Sequence, residues 1–315
     1  MRQIKSGSGL GTFGRTLRTT VGPPGSPCLV GIPSDILSVT GSGAKGGPAA
    51  IRFVSQELPH SYFKRTDMGT LFDYCSHASV QRPVNLADLG DLTVSISSSP
   101  RTIGRDISAV VLGLCANQNF PIVMGGDHSI TYSAVKGIAN PKLALICFDA
   151  HLDNARPSEG TLVDNASVIG ELMSRGHVTN VFSLGVRGIL PAIKSSFRKI
   201  HNVLSTVDIR ERGLGGVLTS FPSNLEYWIS LDLDVFDPSI APGTNTPVPG
   251  GLCYDEVSGL LIEIMRHRKV VGFDLVELVP DKDINLHTAR LAAHIIFSVA
   301  AYCSQTGGRV PTKRA

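Results

Sequence analysis

Three short segments concentrate histidine and aspartate: Gly125-Gly126-Asp127-His128-Ser129, Asp149-Ala150-His151-Leu152-Asp153 and Asp232-Leu233-Asp234-Val235-Phe236-Asp237-Pro238. In the second and third, the polar groups alternate, at 149, 151 and 153 and at 232 and 234. On a continuing strand that spacing points them the same way. Carboxylates sharing one side of an apolar strand repel one another and are costly to desolvate, so a cation is what makes the arrangement favourable. The set His128, Asp149, His151, Asp153, Asp232 and Asp234 offers carboxylates and imidazoles and no thiolate. Such donors suit Mn²⁺, and Fe²⁺ or Ni²⁺ less commonly, whereas a structural zinc site would draw on cysteine. The set exceeds the need of one ion that also binds solvent, and carboxylates shared between two ions roughly 3.5–4 Å apart would use it all. Such a pair lowers the pKa of a bridging water toward neutrality. The hydroxide can attack an electrophilic carbon while a nearby carboxylate passes the proton to a leaving amine.

These residues need elements that bring them together. Short apolar runs rich in Val, Ile and Leu recur near 28–32, 84–88, 121–124, 143–148, 180–185, 202–205, 227–233 and 270–275. Their apolarity is continuous rather than alternating, which predicts strands buried on both faces. Helical stretches fall at 104–118, 129–139, 166–174, 254–266 and 286–302. Strand and helix in alternation predict an α/β fold, a mainly parallel sheet of about eight strands with helices on both faces. In such a sheet the ligand sits beyond the carboxyl ends of the strands, where the three His/Asp segments lie.

Hydrophobic residues make up 42% and charged residues 17% of the 315, which describes a chain with a large buried core. The net charge of +3 gives no electrostatic case for nucleic acid or a membrane surface as partner. No apolar run approaches the roughly 18 residues of a spanning helix. The six cysteines, at 28, 75, 115, 147, 253 and 303, form no CxxC pair, which favours a reducing compartment and a cytoplasmic location. The first acid is Asp35. The preceding basic, Gly- and Ser-rich stretch reads as a flexible arm over 1–26, or as a transit peptide that would direct the chain to the mitochondrial matrix. A single domain then spans 27–305, with a tail over 306–315.

The motifs GGDHS, DAHLD and SLDLDVFDP together resemble the ureohydrolase family of arginases, agmatinases and related amidinohydrolases. The likeness extends to Gly31-Ile32-Pro33-Ser34-Asp35, to 43–52, to Asp88-Leu89-Gly90-Asp91, to Gly185-Val186-Arg187, to 244–251 and to Gly272-Phe273-Asp274-Leu275-Val276-Glu277. It covers residues 28–305 and implies an arginase-like fold. It further implies that His128, Asp149, Asp153 and Asp232 hold one Mn²⁺. Asp149, His151, Asp232 and Asp234 would hold the second, with Asp149 and Asp232 shared. Asp153 would also take part in proton transfer, and Glu277 matches the carboxylate that binds a guanidinium. Thr246 would line the pocket, and Asp127, Asp237 and Asp274 read as supporting or turn residues. Family members are usually trimers or hexamers, so a homotrimer or homohexamer is expected.

One position departs from the pattern. Where the family usually has a histidine credited with proton shuttling or substrate contact, this chain has Asn165, which can hydrogen-bond but not titrate. Arg156, in the same loop, could bind a substrate carboxylate bidentately, which would favour a guanidino or formimino acid over a plain amine. The remaining histidines, at 60, 77, 177, 201, 267, 287 and 294, fall in polar, loop or final-helix contexts that suggest no role. The favoured activity is hydrolysis of a linear guanidino compound to urea and an amine. The nearest rival is a formiminoglutamase-like release of formamide. A silent scaffold member would be expected to have lost metal ligands, and here all six positions are filled.

Overall fold

The computed structural model describes residues 11–16, 19, 22–58, 71–73, 78–80, 84–95, 97–190 and 195–306. Eight strands form one sheet: β1 (Pro27–Gly31), β4 (Ala87–Asp91), β5 (Phe120–Met124), β6 (Leu143–Phe148), β7 (Val181–Val186), β8 (His201–Ser205), β9 (Glu226–Asp232) and β10 (Lys269–Val276). The order is β4-β1-β5-β10-β9-β6-β7-β8, and every pairing is parallel. A separate antiparallel pair, β2 (Leu71–Asp73) and β3 (Ala78–Val80), stands outside it. The expected mainly parallel sheet is therefore parallel throughout. All eight expected strands are present, most with ends shifted by one to three residues.

Among the described residues seven α-helices cover the sheet: α1 (Gly47–Ser55), α2 (Pro100–Ala116), α3 (Ile130–Lys136), α4 (Val168–Ser174), α5 (Thr206–Leu218), α6 (Tyr254–His267) and α7 (His287–Thr306). Two buried clusters mark the two faces. Ile51, Ile209, Leu261 and Ile296, from α1, α5, α6 and α7, pack on one. Ile107, Val135 and Val168, from α2, α3 and α4, pack on the other. Strand residues alternate between them: Ile122 and Met124 of β5 join the first cluster and Val123 the second. Burial on both faces is why the strands read as unbroken apolar runs.

Helices α1 and α5 have no counterpart among the expected elements. The first begins Gly47-Pro48, with proline in its first turn, where the missing N–H costs nothing. The second is capped by Ser205 and Asp208, each side chain bonding the other's backbone, yet it carries Gly213, Gly215 and Gly216, which mask its periodicity.

The arm expected over 1–26 is not free where it is described. Phe13 is fully buried in the first cluster, and its amide donates to Asp88 Oδ2 at 2.7 Å. The Gly14 amide donates to Ser55 Oγ at 2.9 Å. Burying one aromatic ring and satisfying two backbone donors ties this segment to α1 and β4.

Register positions the site. Met124, Leu275, Leu231 and Phe148 are aligned across β5, β10, β9 and β6, so the segments that follow these four central strands emerge at one edge. Consecutive strands β5 and β6 are separated by β10 and β9. That reversal of order opens a crevice at the carboxyl ends.

Candidate metal centre

His128 follows β5, Asp149, His151 and Asp153 follow β6, Asp232 ends β9 with Asp234 just beyond, and Glu277 follows β10. All seven meet above the four central strands. His128 Nδ1 lies 3.4 Å from Asp149 Oδ2, 2.9 Å from Asp153 Oδ2 and 3.4 Å from Asp232 Oδ2. His151 Nδ1 lies 3.5 Å from Asp149 Oδ1 and 2.9 Å from Asp234 Oδ2. Asp149 thus presents one oxygen to each imidazole. Asp232 reaches His128 through Oδ2, while its Oδ1 accepts from the Asp234 amide at 2.8 Å.

The donor set can be tested for a cation without invoking one. His128 is fully buried, and its Nε2 sits 3.0 Å from Ser230 Oγ. Ser230 donates its own proton to Asp274 Oδ1, so its oxygen is left to accept from Nε2–H. In the neutral ring the lone pair is then on Nδ1, which has no hydrogen-bond partner although three carboxylates face it. Burial opposes charge on the ring, but Asp149 and Asp153 prevail and, without a cation, draw a proton there instead. A lone pair among anions is favourable only with a positive charge between them. The residues therefore fit a metal, and the shared Asp149 fits two.

The electrostatics agree. Burial, reinforced by the charge of Asp149, pushes Asp153 up to about 7. Burial also raises Asp232 and Asp234, and each is raised further by carboxylates nearby. Burial opposes charge on His151, but its bonds to Asp149 and Asp234 prevail and lift it to about 11. Protons hold the cluster together where cations would otherwise do so.

Backbone conformation singles out two members. Asp153 and Glu277 have positive φ, 42° and 66°, a region that costs a non-glycine residue ~1–3 kcal/mol and persists where neighbours over-determine it. The Asp153 carbonyl accepts from the amides of Ile169 and Gly170 at the start of α4, at 3.0 and 3.1 Å. The Glu277 amide donates to the Gly126 carbonyl at 2.9 Å. Gly126 is required there, since a Cβ would lie 1.6 Å from the Ser34 carbonyl oxygen.

Glu277 is 5% exposed. Its Oε1 accepts from the His128 amide at 2.9 Å and from Asn165 Nδ2 at 3.2 Å, while Oε2 is buried without a partner. Burial and the nearby Asp127 raise its pKa to about 8. Thr246 Oγ1 donates to Asp234 Oδ2 at 3.1 Å. Arg156 is exposed, and no ion pair to it is seen among the described residues; it is not brought onto the cluster. Asp127 closes its own turn, accepting from the amides of Ser129 and Leu37, and Asp237 accepts from Ser239, Gly250 and Gly251. Asp274 collects Ser230, Thr131 and Trp228.

Three contributors had not been singled out. Ser230 precedes Asp232 by two residues and Cys147 precedes Asp149 by two, so each shares its neighbour's side of the strand. The Cys147 thiol, fully buried, lies 3.8 Å from Asp149 Oδ2, and burial keeps it protonated. Arg187 is buried and, among the described residues, donates to carbonyl oxygens alone, those of Gly185, Asp234, Val235, Phe236 and Val248. It braces the turn that carries Asp234. His201, expected in a polar or loop context, instead lies buried on β8 with Nε2 2.8 Å from Ser183 Oγ. His60 and His77 lie outside the described residues.

The Arginase family model matches residues 26–301. The formimidoylglutamase of Bacillus subtilis is 31% identical over 290 residues, covering 86% of this chain and 85% of that protein. The agmatinase of Cronobacter sakazakii is 29% identical over 272 residues, covering 84% and 83%. A hypothetical agmatinase from Burkholderia thailandensis, solved by crystallography, superposes with a TM-score of 0.79 at 25% identity, covering 95% and 92%.

Proposed function

The chain belongs to the arginase family, and from that premise we propose that it hydrolyses a linear guanidino compound to urea and an amine at a centre of two Mn²⁺ ions. It is a metal-dependent hydrolase of guanidino or amidino compounds. His128, Asp149, Asp153 and Asp232 would hold one ion, and Asp149, His151, Asp232 and Asp234 the other. Bound there, the pair supplies an acidified water and polarises the substrate.

This chain's own residues do the rest. Glu277 carries the reading: Oε2 is a buried acceptor beside the cluster with nothing to bond, and an amidinium N–H satisfies it. Its fixed Oε1 holds the carboxylate in one orientation, so an amidinium bonded to Oε2 is held in one place, where water can add to a face of its carbon. Asp153 takes the proton released when water adds to that carbon. It returns the proton to the nitrogen that leaves as the C–N bond breaks. Thr246 holds Asp234 in place. Arg156, in the loop after β6, would meet a substrate carboxylate if the loop turns inward.

A second reading, a formimino acid cleaved to formamide, is favoured by Asn165 in place of a titrating side chain and by the likeness to a formimidoylglutamase. Metal-reconstituted protein, with Mn²⁺ and Ni²⁺ compared, should be offered guanidino acids, guanidino amines and formimino acids. Urea supports the first reading and formamide the second. Turnover of none of them, with metal bound, would refute both.

A further inference from the structure

Residues 35–43 form a closed loop beside the centre. The Gly43 amide donates to Asp35 Oδ2 at 2.7 Å, which joins its two ends. Ser38 Oγ donates to the Gly41 carbonyl at 2.6 Å, which braces its tip. Ile36 and Val39 are more than half exposed on it. Three side chains from the rim of the sheet hold it down. Asp127 Oδ2 accepts from the Leu37 amide at 3.3 Å, Asn245 Nδ2 donates to the Gly41 carbonyl at 3.0 Å, and Asn165 takes Val39 and Thr40 between them. Asp127 adjoins His128 and Asn245 adjoins Thr246, so the loop is anchored to the segments that carry the cluster.

Asn165 is the one anchor that also touches Glu277. Its Oδ1 accepts from the Val39 amide at 3.0 Å. Its Nδ2 donates to Thr40 Oγ1 at 2.8 Å and to Glu277 Oε1 at 3.2 Å. Both donors of the amide are thereby spent and its oxygen is engaged, and the side chain is buried. An imidazole has only two nitrogens and could not serve these three partners. Asn165 has no titratable proton to give the reaction and no free donor for substrate, but it ties the loop to the carboxylate.

We propose that Asn165 is a positioning residue: it couples the 35–43 loop to Glu277, so that the loop's placement, rather than a titrating side chain at 165, selects which substrate side chain is accepted. The proposal rests on the reading of Glu277 as the amidinium acceptor. The coupling has a direction that geometry supplies. With Oε1 held by His128 and Asn165, Oε2 is the oxygen left open, and a shift of Val39 or Thr40 is transmitted through the Asn165 amide to that oxygen.

Three variants of the full-length, metal-loaded enzyme test this: Asn165→Ala, Thr40→Val and Glu277→Gln. Asn165→Ala should raise KM roughly tenfold for the preferred substrate, narrow its preference over the others in the panel, and leave kcat within a few-fold. Thr40→Val removes the hydroxyl that receives Asn165 and should shift the preference in the same direction. Hydrogen exchange gives a readout independent of turnover: the Val39 amide, protected in the parent by Asn165 Oδ1, should exchange faster in Asn165→Ala while the strands of the sheet do not change. A fall in kcat with KM and preference intact would overturn the proposal, as would unchanged exchange at Val39. Full activity in Glu277→Gln would instead strike at the reading beneath it, and the exchange result would still stand.

Discussion

His128 Nε2 and Ser230 Oγ lie 3.0 Å apart, and because Ser230 has committed its own proton to Asp274, this contact decides which imidazole nitrogen carries hydrogen. The tautomer that leaves Nδ1 bare toward Asp149, Asp153 and Asp232 is the one a metal ligand requires. Removing the hydroxyl should therefore weaken metal binding without touching a ligand. Ser230→Ala is expected to lower affinity for Mn²⁺ by roughly 10–100-fold, the usual effect of losing a group that orients a ligand histidine. Calorimetric titration of metal-free protein reads this directly, and parent-like affinity would count against the tautomer argument.

Asp149 faces both imidazoles, one oxygen to each, whereas Asp234 faces only His151. The two positions should fail differently. Asp149→Ala is expected to lose both equivalents of bound metal and all measurable turnover. Asp234→Ala should retain up to one equivalent on the His128 side. Metal analysis after exhaustive dialysis distinguishes them, and equal retention in the two variants would contradict the shared role.

Much of this was legible beforehand, for physical reasons. Strands such as β6 and β9 are buried on both faces, so their apolar runs stand out, and the acids at their ends are conspicuous by contrast. Strand order was not legible, because a parallel sheet pairs residues as distant as Met124 and Leu275 with no local signal. The same holds for Asn165: its bonds to Val39 and Thr40 span 126 and 125 residues, and nothing in the intervening sequence marks them. Ser230 and Cys147 were overlooked because small residues in a buried strand look like packing, although their two-residue spacing from Asp232 and Asp149 was the available clue.

Protons and cations compete for the centre, and the direction of that competition is fixed. In the metal-free protein Asp153 is raised from 3.8 to about 7, so it is protonated below that pH and ionised above it. A cation binding at pH 6 must displace this proton, and at pH 8.5 it is already gone. Affinity for Mn²⁺ on the His128 side should rise between pH 6 and 8.5, with proton release falling by about one per chain loaded. Titrations in two buffers of different ionisation enthalpy measure both quantities. Affinity that is flat across the interval would mean that Asp153 is not a ligand.

His201 should make the fold sensitive to acid at a point remote from the metal centre. Burial lowers it from 6.5 to about 4, so the folded chain holds it neutral while the unfolded chain protonates it at higher pH. The stability it contributes is complete above about pH 6.5 and is lost progressively as pH falls toward 4. At about 1.4 kcal/mol per unit, the loss between pH 7.5 and 5 is about 2 kcal/mol. His201→Gln can keep a bond to Ser183 but cannot titrate. Urea unfolding at the two pH values should show the parent losing about 2 kcal/mol more than the variant; an identical loss would assign the acid sensitivity elsewhere.

Arg187 offers the sharpest separation of charge from geometry. Its guanidinium is buried, and its hydrogen bonds run to five backbone carbonyls, three of them in the consecutive residues Asp234, Val235 and Phe236. The planar fork matters here, because one point charge cannot reach acceptors on both sides of a turn. Arg187→Ala would remove the buried donor from these carbonyls, of which that of Val235 keeps the Leu252 amide, a loss of roughly 3–5 kcal/mol by comparison with other broken buried networks. Arg187→Lys keeps the charge and recovers only part of this. Because the carbonyl of Asp234 is among the acceptors, metal on the His151 side should be lost first, before the chain as a whole unfolds. Thermal denaturation followed alongside metal content decides the matter: a lysine variant as stable and as well loaded as the parent would show that charge alone suffices, and the bracing role would fall.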